Sequence, residues 1–291
     1  MRDLRAIDRP TAEIAWDAEK LQIRRGWTST LTDADRDLLW SDATQYRWIA
    51  ADLLRASLRQ FLLSSLRTYG FVHVRNLVRV TSPEEKVPPG FTFLLRQLGR
   101  IVEQNGAGAL TQVLRDNNGD GATELDYHCD TADLLVLLCL QPAADGGGRT
   151  KLVSGRTVVE TIQAERPDLL KTLLERDFCF DRRGRAGTQI IIRPIFRMLP
   201  GGGVDLYYQS GTIRDTPQTY GPALEPDQLE ALAVLDEVLK RPGTGHGLRL
   251  ETGDLLVIRN SRVMHGRSPY QDVPGAQPRR MLRIWMDTDE L

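Results

Sequence analysis

At 291 residues, 41% of them hydrophobic and 26% charged, the chain has the composition of a globular protein and is long enough to bury a sizeable core. A formal net charge of -1, with no long run of Lys or Arg in either half, excludes the electrostatic footprint of a nucleic-acid-binding protein. Three cysteines (Cys129, Cys139, Cys179) without finger spacing exclude a disulfide framework and a structural zinc site. The opening residues lack the apolar run of a signal peptide, and the longest aliphatic stretch, 134–140, is too short to span a bilayer, so the expected location is the cytoplasm, away from membranes.

In chain order, Thr32 to Asp35 resembles a helix-opening capping box, and Leu53, Leu54, Leu58, Phe61, Leu62 and Leu66 recur at helical steps. Tyr69-Gly70 ends that pattern, and Phe71 to Val74 alternates like a strand entering a sheet. From residue 125 onward come short β-prone runs at 134–140, 151–153, 189–196, 204–209, 248–250, 254–258 and 281–286, which suggest a barrel or double-sheet sandwich. Two helical insertions interrupt them: 158–174, with a break near Pro167, and 226–239, where Pro226 suits a first helical position. Gly201 to Gly203 and Arg241 to Gly245 read as turns or mobile loops. No repeat or boundary divides the chain, so one domain is expected over 1–291, with a mainly helical part (1–68) and a β core with helical insertions (69–291).

His128 and Asp130 stand two residues apart, and on an extended segment such side chains project to one face, where both can hold one ion. Far along the chain the hydrophobic run 254–258 leads through Arg259 to Met264 and delivers His265 into what reads as a polar turn, a third candidate ligand. Two histidines and one carboxylate with open positions suit non-haem Fe(II), whereas zinc more usually recruits Cys or a third His. A cosubstrate with a distal carboxylate then needs a cation, and Arg suits it because its planar fork engages both oxygens. On a strand Arg279, Met281 and Arg283 share one face while Arg280 points the other way, so the inward cation is the 279/283 pair or Arg280 alone.

His128-x-Asp130, His265-Gly-Arg267 and Arg279-x-x-x-Arg283-x-Trp285 together resemble the taurine dioxygenase and clavaminate synthase-like family of Fe(II)/2-oxoglutarate-dependent dioxygenases. Gly147-Gly-Arg-Thr150-x-x-x-Ser154 resembles that family's stretch whose Thr helps hold 2-oxoglutarate. The resemblance covers roughly residues 70 to 287. It implies a double-stranded β-helix, or jelly-roll, core with N-terminal and inserted helices. It also implies metal ligands and catalytic residues His128, Asp130 and His265, and cosubstrate contacts from Thr150 and Arg279. Arg279 is preferred over Arg280 because it lies fourteen residues after His265, at the family spacing.

The implied reaction uses Fe(II), 2-oxoglutarate and O2, releases succinate and CO2, and hydroxylates an unactivated carbon of an amino-acid-like or natural-product small molecule. Desaturation or cyclisation at the same iron is the alternative chemistry, and retention of Asp130 argues against halogenation. A non-catalytic metal- or small-molecule-binding jelly roll is the alternative class, but it has no need of Thr150 and Arg279 at this spacing. Asp126 and Arg283 are candidates for gripping substrate, the first against an amine and the second against a carboxylate; backbone hydrogen bonding and charge neutralisation are their plainer roles. Arg267 is divided between a site role and bracing its turn. His73 reads as a structural strand residue and His246 as a solvated turn residue, while Gln112, Asn117 and Asn118 read as part of a solvated loop or a lid. Substrate identity and oligomeric state are not written in the sequence.

Overall fold

Two antiparallel-rich sheets face each other in the computed structural model, which describes residues 13–40, 47–80, 89–104, 108–115, 122–181, 190–220, 222–289 and 291. The chain begins with α1 (Ala18–Ile23), β1 (Thr28–Thr30), α2 (Asp33–Leu39), α3 (Arg47–Tyr69), β2 (Phe71–Arg75), α4 (Pro89–Arg96), β3 (Arg100–Val102) and β4 (Gln112–Leu114). It continues with β5 (Leu125–His128), β6 (Leu134–Gln141), β7 (Thr150–Ser154), α5 (Gly155–Glu165), α6 (Pro167–Glu175), β8 (Phe178–Asp181), β9 (Ile190–Arg193), β10 (Phe196–Met198) and β11 (Val204–Leu206). It ends with α7 (Ser210–Tyr220), α8 (Pro226–Lys240), β12 (His246–Leu248), β13 (Leu255–Arg259), β14 (Val263–Arg267) and β15 (Arg280–Asp287). The major sheet runs β1-β2-β13-β6-β15-β3 with β4 also on β15, and the minor sheet runs β12-β7-β14-β5. This is the jelly-roll core with helices that the sequence implies.

The apolar run 134–140 carries no alternation because both of its faces are buried. Leu134, Val136, Leu138 and Leu140 join Leu58, Leu62 and Leu66 of α3 in one cluster, while Leu135, Leu137 and Cys139 join Leu152 and Val263 of the minor sheet in another. On β15 the same division holds: Leu282, Ile284 and Met286 face the helices, and Met281 and Trp285 face the space between the sheets. A third cluster packs α5, α6 and α8 with Val153 and Met264 on the far side of the minor sheet. Inward positions on β7, β14 and β15 are thereby fixed before any polar chemistry is considered.

Several local expectations hold and some fail. Thr32 caps α2 through Asp35 N–H, Pro167 separates α5 from α6, and Pro226 opens α8. Leu53 departs from its stripe: it is 65% exposed, because the buried face of α3 runs through Leu54, Leu58, Phe61 and Leu62 at i, i+4, i+7 and i+8. The stretch 189–196 is broken at Pro194, with β9 and β10 on either side, and Gln189 lies outside the described residues. His246 is a correction, since it opens β12 and packs edge-on against Trp27 at 5.3 Å, where burial pushes its pKa down. The three cysteines are free and buried. Among the described residues no helix is long and apolar enough to cross a membrane.

His73 is structural, as its place on β2 implies. Its Nε2 donates to Asp254 Oδ2 at 3.0 Å, and Asp254 also accepts from Asn76 N–H and Glu251 N–H. Burial alone would raise the Asp254 carboxyl, but these donors hold it below its ordinary value of 3.8. A depressed carboxyl stabilises the fold in full above its unfolded pKa and loses that contribution as pH falls through the folded one. Asp254→Ala is therefore expected to destabilise by about 1–3 kcal/mol at neutral pH by orphaning buried donors. The deficit relative to wild type should shrink below pH 3.8, as urea melts across pH can show.

Candidate active site

β5 ends at His128, and the chain turns through Cys129 and Asp130 before β6. Backbone Cys129 N donates to Tyr208 O at 2.7 Å, and Gln209 Nε2 donates to Cys129 O at 2.9 Å. Asn260 then pins the turn from the other side: its Oδ1 accepts from Asp130 N at 3.2 Å and its Nδ2 donates to Ala132 O at 2.7 Å. His265 is not in a turn, contrary to the sequence expectation. It sits in the middle of β14, paired directly with His128 across the ladder. Its flanking residues Met264 and Gly266 are buried, one against α-helices and the other against backbone, so the strand continues where composition suggests a break.

These placements bring His128, Asp130 and His265 together, with one candidate ligand atom from each lying within 4.8 Å of the others. The imidazole Nε2 atoms of His128 and His265 face Asp130 oxygens at 3.7 and 3.9 Å, and the two rings lie 4.3 Å apart. His128 Nδ1 donates to Asp126 O at 2.9 Å, which fixes the tautomer and leaves the Nε2 lone pair toward the cluster. Burial, reinforced by His128, pushes His265 down to about 3 against the opposing pull of Asp130, so this imidazole is neutral, the form a metal requires. Burial on its own would raise the Asp130 carboxyl, but His265, His128, Arg283 and the Trp285 N–H hold it below the usual range.

β15 brings the cations. Arg279 is 5% exposed, its Cζ lies 5.4 Å from the Tyr270 ring centre, and it joins no ion pair among the described residues; its buried Nε has no hydrogen-bond partner. Gly148 lies against its stem, where a Cβ would sit 2.9 Å from Arg279 Cδ and Nε at a φ of +63°, so only glycine admits the approach. Thr150, two residues on, is buried and pairs across the ladder with Arg267, whose guanidinium also lies over Tyr270, at 5.2 Å. Arg267 Nη2 donates to Thr123 O at 2.7 Å. Arg280, the half-buried first residue of β15, precedes a register shift at Met281, and its Nε, like that of Arg279, is buried without a hydrogen-bond partner.

Arg283 faces Asp130, with Nη1 3.8 Å from Oδ2. It is aimed by two glutamines: Nε donates to Gln104 Oε1 at 2.9 Å and Nη2 to Gln112 Oε1 at 2.6 Å. Gln112 is thus a strand residue on β4, paired with Arg283, and not a loop residue; Asn117 and Asn118 lie outside the described residues. Asp126 is exposed. β5 carries a bulge there, two residues opposing Gly266 alone, so the regular alternation that would align its side chain with His128 is interrupted. It lines a cavity of about 480 Å³ with Tyr127, Lys151 and Asp236, and none of the three cluster residues lines that cavity.

Gln104, Gln209 and Asn260 complete the site with no role read for them in the sequence, and Trp285, present there only as the end of the Arg279-x-x-x-Arg283-x-Trp285 motif, gains one from its indole N–H.

The sequence profile of the taurine catabolism dioxygenase TauD, TfdA family matches residues 45–285, reaching further toward the N-terminus than the motifs alone. FR-33289 synthase of Streptomyces rubellomurinus (strain ATCC 31215) is 28% identical over 229 residues, covering 72% of this chain and 66% of that protein, so the chain spans a little under two-thirds of that relative. A uridine-5'-phosphate dioxygenase of Streptomyces sp is 27% identical over 257 residues, covering 76% of this chain and 86% of that protein. The crystal structure of an asparagine oxygenase in complex with Fe(II), 2S,3S-3-hydroxyasparagine and succinate superposes with a TM-score of 0.67 at 16% identity, covering 90% of this chain and 94% of that one, which shows a shared fold. With a matching profile over most of its length and a jelly roll that gathers two histidines and an aspartate, the chain belongs to the taurine catabolism dioxygenase TauD, TfdA family.

Proposed function

We propose that the protein is an Fe(II)- and 2-oxoglutarate-dependent oxygenase that hydroxylates an unactivated carbon of an amino-acid-like or natural-product small molecule, releasing succinate and CO2. The observation that carries this reading is the pairing of a largely buried two-histidine, one-carboxylate cluster with a buried arginine, Arg279, that has no carboxylate partner among the described residues. His128, Asp130 and His265 hold the iron, and Arg279 with Thr150 holds the distal carboxylate of 2-oxoglutarate in the glycine-lined cradle beside Tyr270. When bound, iron with O2 and 2-oxoglutarate supplies the oxidising power. The protein's own part is positioning and exclusion of water.

Arg283, clamped by Gln104 and Gln112 beside Asp130, is our candidate for orienting a substrate carboxylate, whereas the amine contact expected of Asp126 finds no support, since Asp126 lines a cavity apart from the cluster. The hydroxylated amino acid carried by the asparagine oxygenase neighbour supports an amino-acid-like substrate. We also read 1–291 as one catalytic domain, because residues from β5 and β15 meet at Asp130 while α3 packs on the same major sheet. A reducing cytoplasm suits three free buried thiols.

Anaerobic absorbance tests the reading directly: Fe(II) plus 2-oxoglutarate should give a weak visible charge-transfer band that neither component gives alone. No band in fully metallated protein would sink the assignment. For Arg283, amino acids that stimulate succinate formation should lose that effect when their carboxyl is amidated. Arg283→Gln should raise the KM for the acid about 10- to 100-fold while leaving the amide unchanged. Equal effects on acid and amide would remove the carboxylate role.

A further inference from the structure

Arg279, just before β15, and Met281, Arg283 and Trp285 on it lie on the site side, and the last of these makes a contact that the roles above leave unexplained. Trp285 Nε1 donates to Asp130 Oδ2 at 2.8 Å, between two side chains that are 4% and 8% exposed. Trp16, Trp27 and Trp40 instead donate to backbone carbonyls. The Trp285 indole face also carries Arg283, whose Cζ lies 4.4 Å from the ring centre. One residue thus touches both the carboxylate of the cluster and the cation beside it.

We propose that Trp285 is a positioning residue for the metal centre: its indole N–H takes one lone pair of Asp130 Oδ2 and holds the carboxylate in a single rotation that offers the metal one oxygen. This rests on the reading of His128, Asp130 and His265 as metal ligands. The chemistry favours an indole for three reasons. It is a donor only, so it cannot itself ligate the metal or reverse its hydrogen bond. It reaches Asp130 from a strand whose register is locked by packing on both faces. It also satisfies a buried carboxylate oxygen that a phenyl ring of similar breadth would leave bare. Oδ2 also lies 3.9 Å from His265 Nε2, but the indole engages it, whereas Oδ1, 3.7 Å from His128 Nε2, faces the cluster with no hydrogen-bond donor on it among the described residues.

The test is Co(II) titration of the full chain, read by the intensity of the visible d–d bands, in wild type, Trp285→Phe and Met281→Ala. Trp285→Phe should weaken Co(II) binding about 10- to 100-fold, as loss of an outer hydrogen bond to a ligand does, and should change band intensity as the carboxylate rotates. Met281→Ala opens a hole in the same buried cluster without touching Asp130 and should leave affinity within about twofold on that argument. Wild-type affinity and spectrum in Trp285→Phe, or equal weakening in Met281→Ala, overturns the proposal. Wild type without Co(II) bands overturns both it and the metal reading beneath it. If Trp285→Phe fails to fold, nitrogen-15 spectra of wild type decide: an indole N–H resonance should move on adding Zn(II) and again in Asp130→Ala. Silence of every indole to both overturns the role.

Discussion

Asp130→Ala is expected to abolish iron-dependent succinate formation and to weaken Fe(II) binding by more than the ~10–100-fold seen when only outer contacts of a metal site are lost. Asp130 is the sole anion of the cluster, and the surroundings keep it charged despite burial. Removing it deletes a ligand and also strips Arg283 of its nearest anion and leaves the Trp285 N–H without an acceptor. The metal-free protein should therefore lose about 1–3 kcal/mol through the orphaned indole, partly offset because a desolvated carboxylate is gone. Thermal melts separate that effect from the loss of metal, and the charge-transfer band reports the metal itself. A band of wild-type strength in the variant would remove Asp130 from the ligand set. Full succinate formation without it would point to another carboxylate.

The chemistry-bearing residues were legible where backbone periodicity translates directly into a shared face. His128 with Asp130, and Arg279 with Met281 and Arg283, come from i, i+2 spacing, and the packing of Met281 and Trp285 between the sheets agrees with it. The continuous apolar run 134–140 announced a strand buried on both sides. What stayed hidden depends on contacts across long sequence separations. Gln104 is 179 residues from Arg283, Asn260 is 130 from Asp130, and Trp285 is 155 from Asp130. Polar residues of this kind have no periodic signature; only register determines what they meet. The β5 bulge opposite Gly266 is a second limit, because one extra residue cancels the face assignment on which the alignment of Asp126 was based. His265 shows a third: a strand flanked by Asn260, Ser261, Arg262 and Arg267 looks like a turn until both neighbouring strands are known.

Arg279→Ala is expected to raise the 2-oxoglutarate concentration needed for half-saturation by about two to three orders of magnitude, the scale for removing one partner of a buried, hydrogen-bonded charge pair. Fe(II) affinity should stay unchanged, because Arg279 makes no hydrogen bond or ion pair with His128, Asp130 or His265. Burial pushes the guanidinium pKa down, and nearby Arg267 adds to the repulsion, yet no carboxylate among the described residues answers it. A buried cation without a counter-ion is a standing penalty of several kcal/mol. Two opposite stability effects follow. The metal- and ligand-free Arg279→Ala protein should melt no lower than wild type, since the unpaired charge is gone. Saturating 2-oxoglutarate should stabilise the wild type by about 2.7 kcal/mol at a hundredfold excess over Kd, raising its melting point, and leave the variant almost unmoved. Arg279→Lys keeps the charge but not the two-pronged geometry and should fall between them. Arg280→Ala should resemble wild type in 2-oxoglutarate binding; if it weakens binding and Arg279→Ala does not, the cosubstrate is held by Arg280 instead.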